Sequence, residues 1–169
     1  MPELDPLDLV RRQLESARAY TLSLLDGLDD DDWFRTPDNV VTHVAWQVGH
    51  LAMAEYGLAL YRQRGRVRDD QELMPSAFRK AFSRGSTPLA DRSRYPAASE
   101  IRQIFDQVHQ QVLAELPTFD RAELLIKVDP PHFAYDDRLG ALLFTSHHEL
   151  IHAGQIGLLR RLFGQDPIR

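Results

Sequence analysis

Apolar residues recur at steps of three and four along four long stretches of the chain, and each stretch reads as an amphipathic helix. The first stripe is Leu7, Val10, Leu14, Ala17, Thr21, Leu24 and Leu28. Asp5 can cap it, Pro6 suits the first helical position, and Asp8 favours the positive end of the helix dipole. The second stripe is Val41, Val44, Val48, Leu51, Leu58 and Tyr61, in a helix expected to start near Asn39 as its cap and to run to about Arg64. The third is Ile101, Ile104, Phe105, Val108, Val112 and Leu116, starting within residues 96–100 and stopping at Leu116-Pro117. The fourth opens near Asp136 or Asp137 and continues to Phe163-Gly164. It is apolar on more than one side, which predicts the most buried helix. Gly154 and Gly157 lie inside it and each costs helix stability, roughly 1 kcal/mol relative to Ala, so close packing is expected at both.

Between the stripes the pattern breaks. Residues 29–32 are all Asp, a like-charge run that reads as a solvated connector rather than a cation patch. Residues 65–96 are interrupted by Gly65, Pro75, Gly85, Pro88 and Pro96, with a short helix expected around residues 71–82. Residues 118–135 are irregular, and Pro130-Pro131 forbids a continuous helix there. No convincing strand and no internal repeat is present. The expected fold is therefore all-α: a four-helix bundle, one domain over residues 1–169, with a long connection between the second and third helices. Such a connection allows the third helix to run parallel to the second, and can also cover the mouth of a pocket.

Composition narrows the function classes. With 43% hydrophobic and 27% charged residues, the chain can bury a core and stay soluble. The net charge of −5 argues against nucleic acid as the main partner. The absence of cysteine excludes disulfides, thiolate-ligated zinc and a cysteine nucleophile, and fits a reducing compartment. Residues 1–15 carry acids and no apolar run, so no signal peptide is expected, and no apolar stretch is long enough to cross a bilayer. The expected location is the cytoplasm.

The candidate chemistry lies on two helices. His148 and His152 are one helical turn apart and share a face, with Gln155 three residues further on. In the second helix, His43, Gln47 and His50 share another face, beside Gly49. His50 and His148 both fall near mid-helix, so the two sets reach similar depth in a bundle. That predicts a metal centre of His50, His148 and His152, with Gln155, Gln47 and His43 around it. Three imidazoles leave coordination positions for water or substrate, as in catalytic sites. They suit zinc, nickel, copper and iron alike. His109 and His132 are expected to be structural and exposed, respectively. Arg62, Arg64, Arg66 and Arg68 cluster at a helix end, where they can complement the helix dipole. Three of them, Arg62, Arg64 and Arg66, are also candidates for holding an anionic thiol.

His148-Glu149-Leu150-Ile151-His152 matches the short H-E-x-x-H pattern of zinc peptidases, in which the Glu is the general base. The longer peptidase patterns fail: Leu158 occupies the third-His position, and no Glu follows Glu149. Glu149 and Glu55 are candidate bases only if they face the pocket, and Glu149 is offset by about 100° from His148.

Trp46-Gln47-Val48-Gly49-His50-Leu51-Ala52 resembles the second-helix signature of the DinB/YfiT-like superfamily, and His148-Glu149-Leu150-Ile151-His152-Ala153-Gly154-Gln155-Ile156 resembles its last-helix signature. The spacing and chain length are also similar, so the resemblance covers nearly the whole chain. It implies an up-down-down-up bundle, commonly a homodimer, with a divalent metal, often nickel or zinc, on positions that correspond to His50, His148 and His152. Members with known activity include thiol-dependent S-transferases and isomerases using bacillithiol, mycothiol or glutathione, and metal-dependent hydrolases. The expectation is a metal-dependent enzyme acting on a small molecule, with a low-molecular-weight thiol as co-substrate. The alternative is a non-catalytic, stress-associated dimer that binds a metal or small ligand.

Overall fold

The computed structural model describes residues 5–168, and these are mostly helical. Helix α1 spans Pro6–Leu25, and the Asp5 carboxylate caps it by accepting from the Leu7 amide at 3.0 Å. The acidic run is solvated, as its charge predicts, but it is helical: Asp29 caps a short helix, α2 (Asp30–Phe34), that buries Trp33 and Phe34. Helix α3 (Val44–Glu55) continues through a π-helical turn (Tyr56–Tyr61) into α4 (Arg62–Arg64), and Gly65 ends the run at φ 75°. Helices α5 (Asp70–Leu73) and α6 (Ser76–Phe82) are separated at Met74-Pro75. Helix α7 spans Ala98–Glu115. Helix α8 spans Arg138–Leu162, with Asp137 accepting from the Gly140 amide at 2.8 Å. Helix α1 packs on α8, and α3 packs on both α7 and α8. Their apolar stripes meet in one core that includes Leu14, Val48, Phe105 and Ile156.

Four expectations need correction. Helix α3 begins five residues later than Asn39. That residue takes a left-handed conformation (φ 62°) in a turn closed by Val40 N–H to the Pro37 carbonyl, and Val41 is exposed. The cap is His43, whose Nδ1 accepts from the Trp46 amide at 3.1 Å. Residues 127–137 are not irregular throughout. Strands β1 (Lys127–His132) and β2 (Tyr135–Asp137) pair antiparallel, with Lys127 opposite Asp137 and His132 opposite Tyr135 and an irregularity between. A two-stranded ribbon has only edges, so Pro130 and Pro131 are tolerated in it.

Helix α8 is not buried all round: Leu150, Ile151, Leu158 and Leu162 are 45–57% exposed. Nor is Gly154 a packing contact, since a Cβ there meets nothing within 4 Å. Gly49, beside the His50 face, does admit a neighbouring helix: a Cβ there would lie 2.5 Å from ring carbons of Phe82. Gly49 thus lets α6 bring Phe82 down onto α3.

One polar cluster lies inside the core. Arg18 of α1 donates Nε to Glu149 of α8 at 2.9 Å and Nη2 to Glu55 of α3 at 2.6 Å. Its Nη1 donates to the Phe105 carbonyl of α7 at 3.0 Å, and its guanidinium carbon lies 3.4 Å from the Phe105 ring centroid. His109 of α7 bonds through Nδ1 to the other Glu55 oxygen at 2.7 Å. All four long helices therefore meet at one guanidinium. Burial alone would lower the Arg18 pKa, but Glu55 and Glu149 outweigh it and hold the charge on. Burial likewise acts to raise Glu55, yet Arg18 and His109 keep it below the ordinary carboxylate value. Removing one member of a buried ion cluster strands the others without solvent. Arg18→Met should therefore cost about 3–5 kcal/mol of stability in denaturant unfolding. A loss under 1 kcal/mol would show that the cluster does not hold the helices together.

Candidate metal centre

His50 reaches the centre from α3, and His148 and His152 reach it from α8. One ring nitrogen from each lies within 4.8 Å of the other two, close enough for a single cation to touch all three. The ring centroids are 5.3 Å apart for His50–His148, 4.8 Å for His50–His152 and 4.6 Å for His148–His152.

Two of the rings are held from behind. His50 Nδ1–H donates to the Phe82 carbonyl at 2.9 Å. A carbonyl only accepts, so that bond puts the proton on Nδ1 and leaves the Nε2 lone pair free. His152 Nδ1–H donates in the same way to the Gln47 amide oxygen at 2.5 Å. The Gln47 amide nitrogen then donates to Thr42 and to the Gln155 side-chain oxygen, both at 2.8 Å, which fixes its orientation. Metal-ligating histidines typically donate their other ring N–H in this manner. Trp46 stacks flat on His50, with centroids 4.8 Å apart and planes 5° apart, and its indole N–H donates to Ser86. The donor set therefore fits a divalent cation of zinc or nickel type.

The centre is half open. His50 is 6% exposed, while His148 and His152 are partly exposed. Two cavities elsewhere, of about 400 Å³ by Arg64 and Glu115 and about 270 Å³ by His43 and Leu89, contain none of the three histidines. Burial lowers all three imidazole pKa values, and the rings' mutual repulsion adds to this for two of them: His148 is pushed down to about 4 and His152 to about 3. The rings are thus neutral at pH 7, the form a metal needs.

The other candidates separate. Gln47 and Gln155 stand behind His152 as described. His43 does not join them: its ring caps α3 and its Nε2 bonds to the Leu89 carbonyl at 3.2 Å. His43 precedes the helix, so it does not share a helical face with Gln47 and His50. Glu149 and Glu55 point into the core at Arg18, so neither faces the three histidines. Arg64 is engaged by Asp70 and Glu115, and Arg66 by Gln71. Arg62 lies 5.5 Å from the Tyr135 ring, which is stacked on His132 and packed against Phe144, the neighbour of His148. Sequence reading missed the Phe82 carbonyl, since nothing in a side-chain pattern announces a backbone acceptor from another helix. It also missed Arg84, two residues further on.

A mostly helical protein with a three-histidine candidate metal centre between two long helices is the class that this geometry defines. The family model of the DinB superfamily matches residues 13–156, and the chain belongs to that superfamily. A crystal structure titled as the conserved protein of locus from Enterococcus faecalis is similar in fold. The TM-score is 0.66 at 15% identity, covering 96% of this chain and 100% of that one. No curated protein matches the chain. Among the described residues, no helix is long and apolar enough to cross a membrane.

The depressed imidazoles set a pH dependence for the metal-free protein. The unfolded chain takes up protons at the ordinary value of 6.5, whereas folded His148 and His152 resist until about 4 and 3. Unfolding therefore gains protons as pH falls, and stability drops progressively from about pH 6.5 towards pH 3. Denaturant midpoints should fall over that window, and His148→Ala/His152→Ala should flatten the slope. An unchanged slope in that variant would contradict the assignment.

Proposed function

We propose that the protein is a metal-dependent enzyme that adds a low-molecular-weight thiol to a small electrophile, with His50, His148 and His152 holding a divalent cation, zinc or nickel. The single observation that carries this reading is the set of three imidazoles that each bring one ring nitrogen within 4.8 Å of the others on a half-open face, with His50 and His152 tied from behind through Nδ1. A cation held there would act as a Lewis acid, making a thiol or a water easier to deprotonate. The residues do the rest. The Phe82 carbonyl and Gln47 keep the two rings aimed, the stacked Trp46 keeps water from one side of His50, and the exposed edges of His148 and His152 admit the reactants.

The thiol version is favoured over hydrolysis because the two candidate bases, Glu55 and Glu149, are both bound to Arg18. A thiol ionises far more easily than water and needs less help. The peptidase reading lacks its general base for the same reason, since Glu149 is bound to Arg18. A cytoplasmic setting, where thiols stay reduced, would supply the co-substrate. Nickel- or zinc-loaded protein should consume thiol in the presence of a generic electrophile such as a chlorodinitroarene. His50→Ala should lose both the bound metal and the turnover; turnover equal to that of the parent protein would end the proposal.

The reading includes an up-down-down-up four-helix bundle paired as a homodimer. Leu150, Gly154, Leu158 and Leu162 recur at steps of four along the exposed side of α8, with Ile151 beside them. The open space at Gly154 leaves room for a second copy's helix to approach closely, and the row is apolar enough to need cover. Sedimentation should give a dimer for the parent protein and a folded monomer for Leu158→Glu. A parent protein that sediments as a monomer at all concentrations would refute the pairing.

A further inference from the structure

We infer that Arg84 and Arg62, with the aromatic side chains between them, form a rim that selects a small organic carboxylate with an apolar body as a reactant at the three-histidine centre. This rests on the proposed function above and names the substrate class of that same site.

The placement follows from the backbone. Helix α6 ends at Phe82, whose carbonyl accepts the His50 N–H at 2.9 Å. The chain therefore passes directly behind the centre and emerges at Arg84, two residues on and exposed. On the other side, Arg62 leans over Tyr135 at 5.5 Å. Tyr135 stacks on His132 at 4.7 Å, and Phe144 lies 5.7 Å from Tyr135 and 5.8 Å from His148. Phe133, at the hairpin turn, is 86% exposed and edges onto Phe144 at 6.1 Å. An aromatic wall thus runs from Arg62 to the metal centre.

The charges along it have one sign. The positive charge of Arg84 weighs on His50, His148 and His132, and that of Arg62 on His132. In a chain with a net charge of −5, such a patch is a local feature. Arg64 and Arg66, from the same helix end as Arg62, are occupied, Arg64 by Asp70 and Glu115 and Arg66 by Gln71. Among the described residues, no hydrogen bond or ion pair engages the side chain of Arg84 or Arg62. A guanidinium grips a carboxylate through two parallel bonds, and nearby apolar surface strengthens that grip by thinning the water. The aromatic wall takes the apolar body of the same molecule.

The test uses the metal-free full chain and the indole N–H resonance of Trp46, which lies against His50. 3-Phenylpropionate and its neutral counterpart 3-phenylpropanol are titrated in turn. The carboxylate should bind about tenfold more tightly, as expected for a charge-assisted hydrogen bond, and the gap should narrow with salt. Arg84→Gln should close most of the gap and Arg84→Gln/Arg62→Gln all of it, with the alcohol's affinity unchanged. Equal affinities for the two ligands, or a gap that survives in the double variant, would overturn the inference. Cobalt(II) binding, read from its visible spectrum, separates the two readings. Cobalt bound without any carboxylate preference removes the rim alone, whereas a preference kept without cobalt binding removes the metal centre alone.

Discussion

The buried guanidinium of Arg18 is the constraint on which the remaining geometry depends. It draws two carboxylates and a carbonyl from three other helices onto itself, with the Phe105 ring against its flat face. Apolar side chains can slide or rotate past one another at small cost. A two-pronged ion pair inside a core cannot, because any slip leaves a charge without a partner. Arg18 therefore sets the rotation of α8 through Glu149 and the depth of α3 through Glu55. With Glu149 turned inwards, the residue before it and the residue three after it, His148 and His152, face α3 at the level of His50. The same contact that brings the three histidines together turns Glu149 away from them.

A second economy operates at the histidines. Three imidazoles brought together in a partly dry space repel one another once protonated, so burial and mutual repulsion favour their neutral forms. Neutral rings offer lone pairs, and the backing bonds from Phe82 and Gln47 choose which nitrogen offers one. Gly49 is the small residue that makes this possible, since only without a Cβ there can Phe82 come close enough for its carbonyl to reach His50.

Much of this was legible in the sequence because it obeys local periodicity. The helical stripes, the caps at Asp5 and Asp137, the paired His148 and His152 and the depth of His50 all follow from residue spacing along single helices. What spacing could not supply were contacts between elements. Asn39 has the chemistry of a cap but is spent on a left-handed turn, and His43 took the role through its ring nitrogen. The exposed row on α8 reads as core from its composition alone, because hydrophobicity does not say which neighbour covers it. The prolines hid a ribbon too short to alternate. Arg64 and Arg66 are taken up by Asp70, Glu115 and Gln71, partners that no local spacing announces, and Arg84 comes near His50 only through the path of the chain past Phe82.

The central claim is that one divalent cation binds to three imidazoles at once. X-ray absorption on zinc- or nickel-loaded protein, prepared without an affinity tag, tests it most directly. The expected result is one metal per chain with three imidazole nitrogens at about 2.0–2.1 Å and lighter ligands completing the shell. A shell with one imidazole or none, or a spectrum unchanged when His50 and His148 are both replaced by alanine, would contradict it.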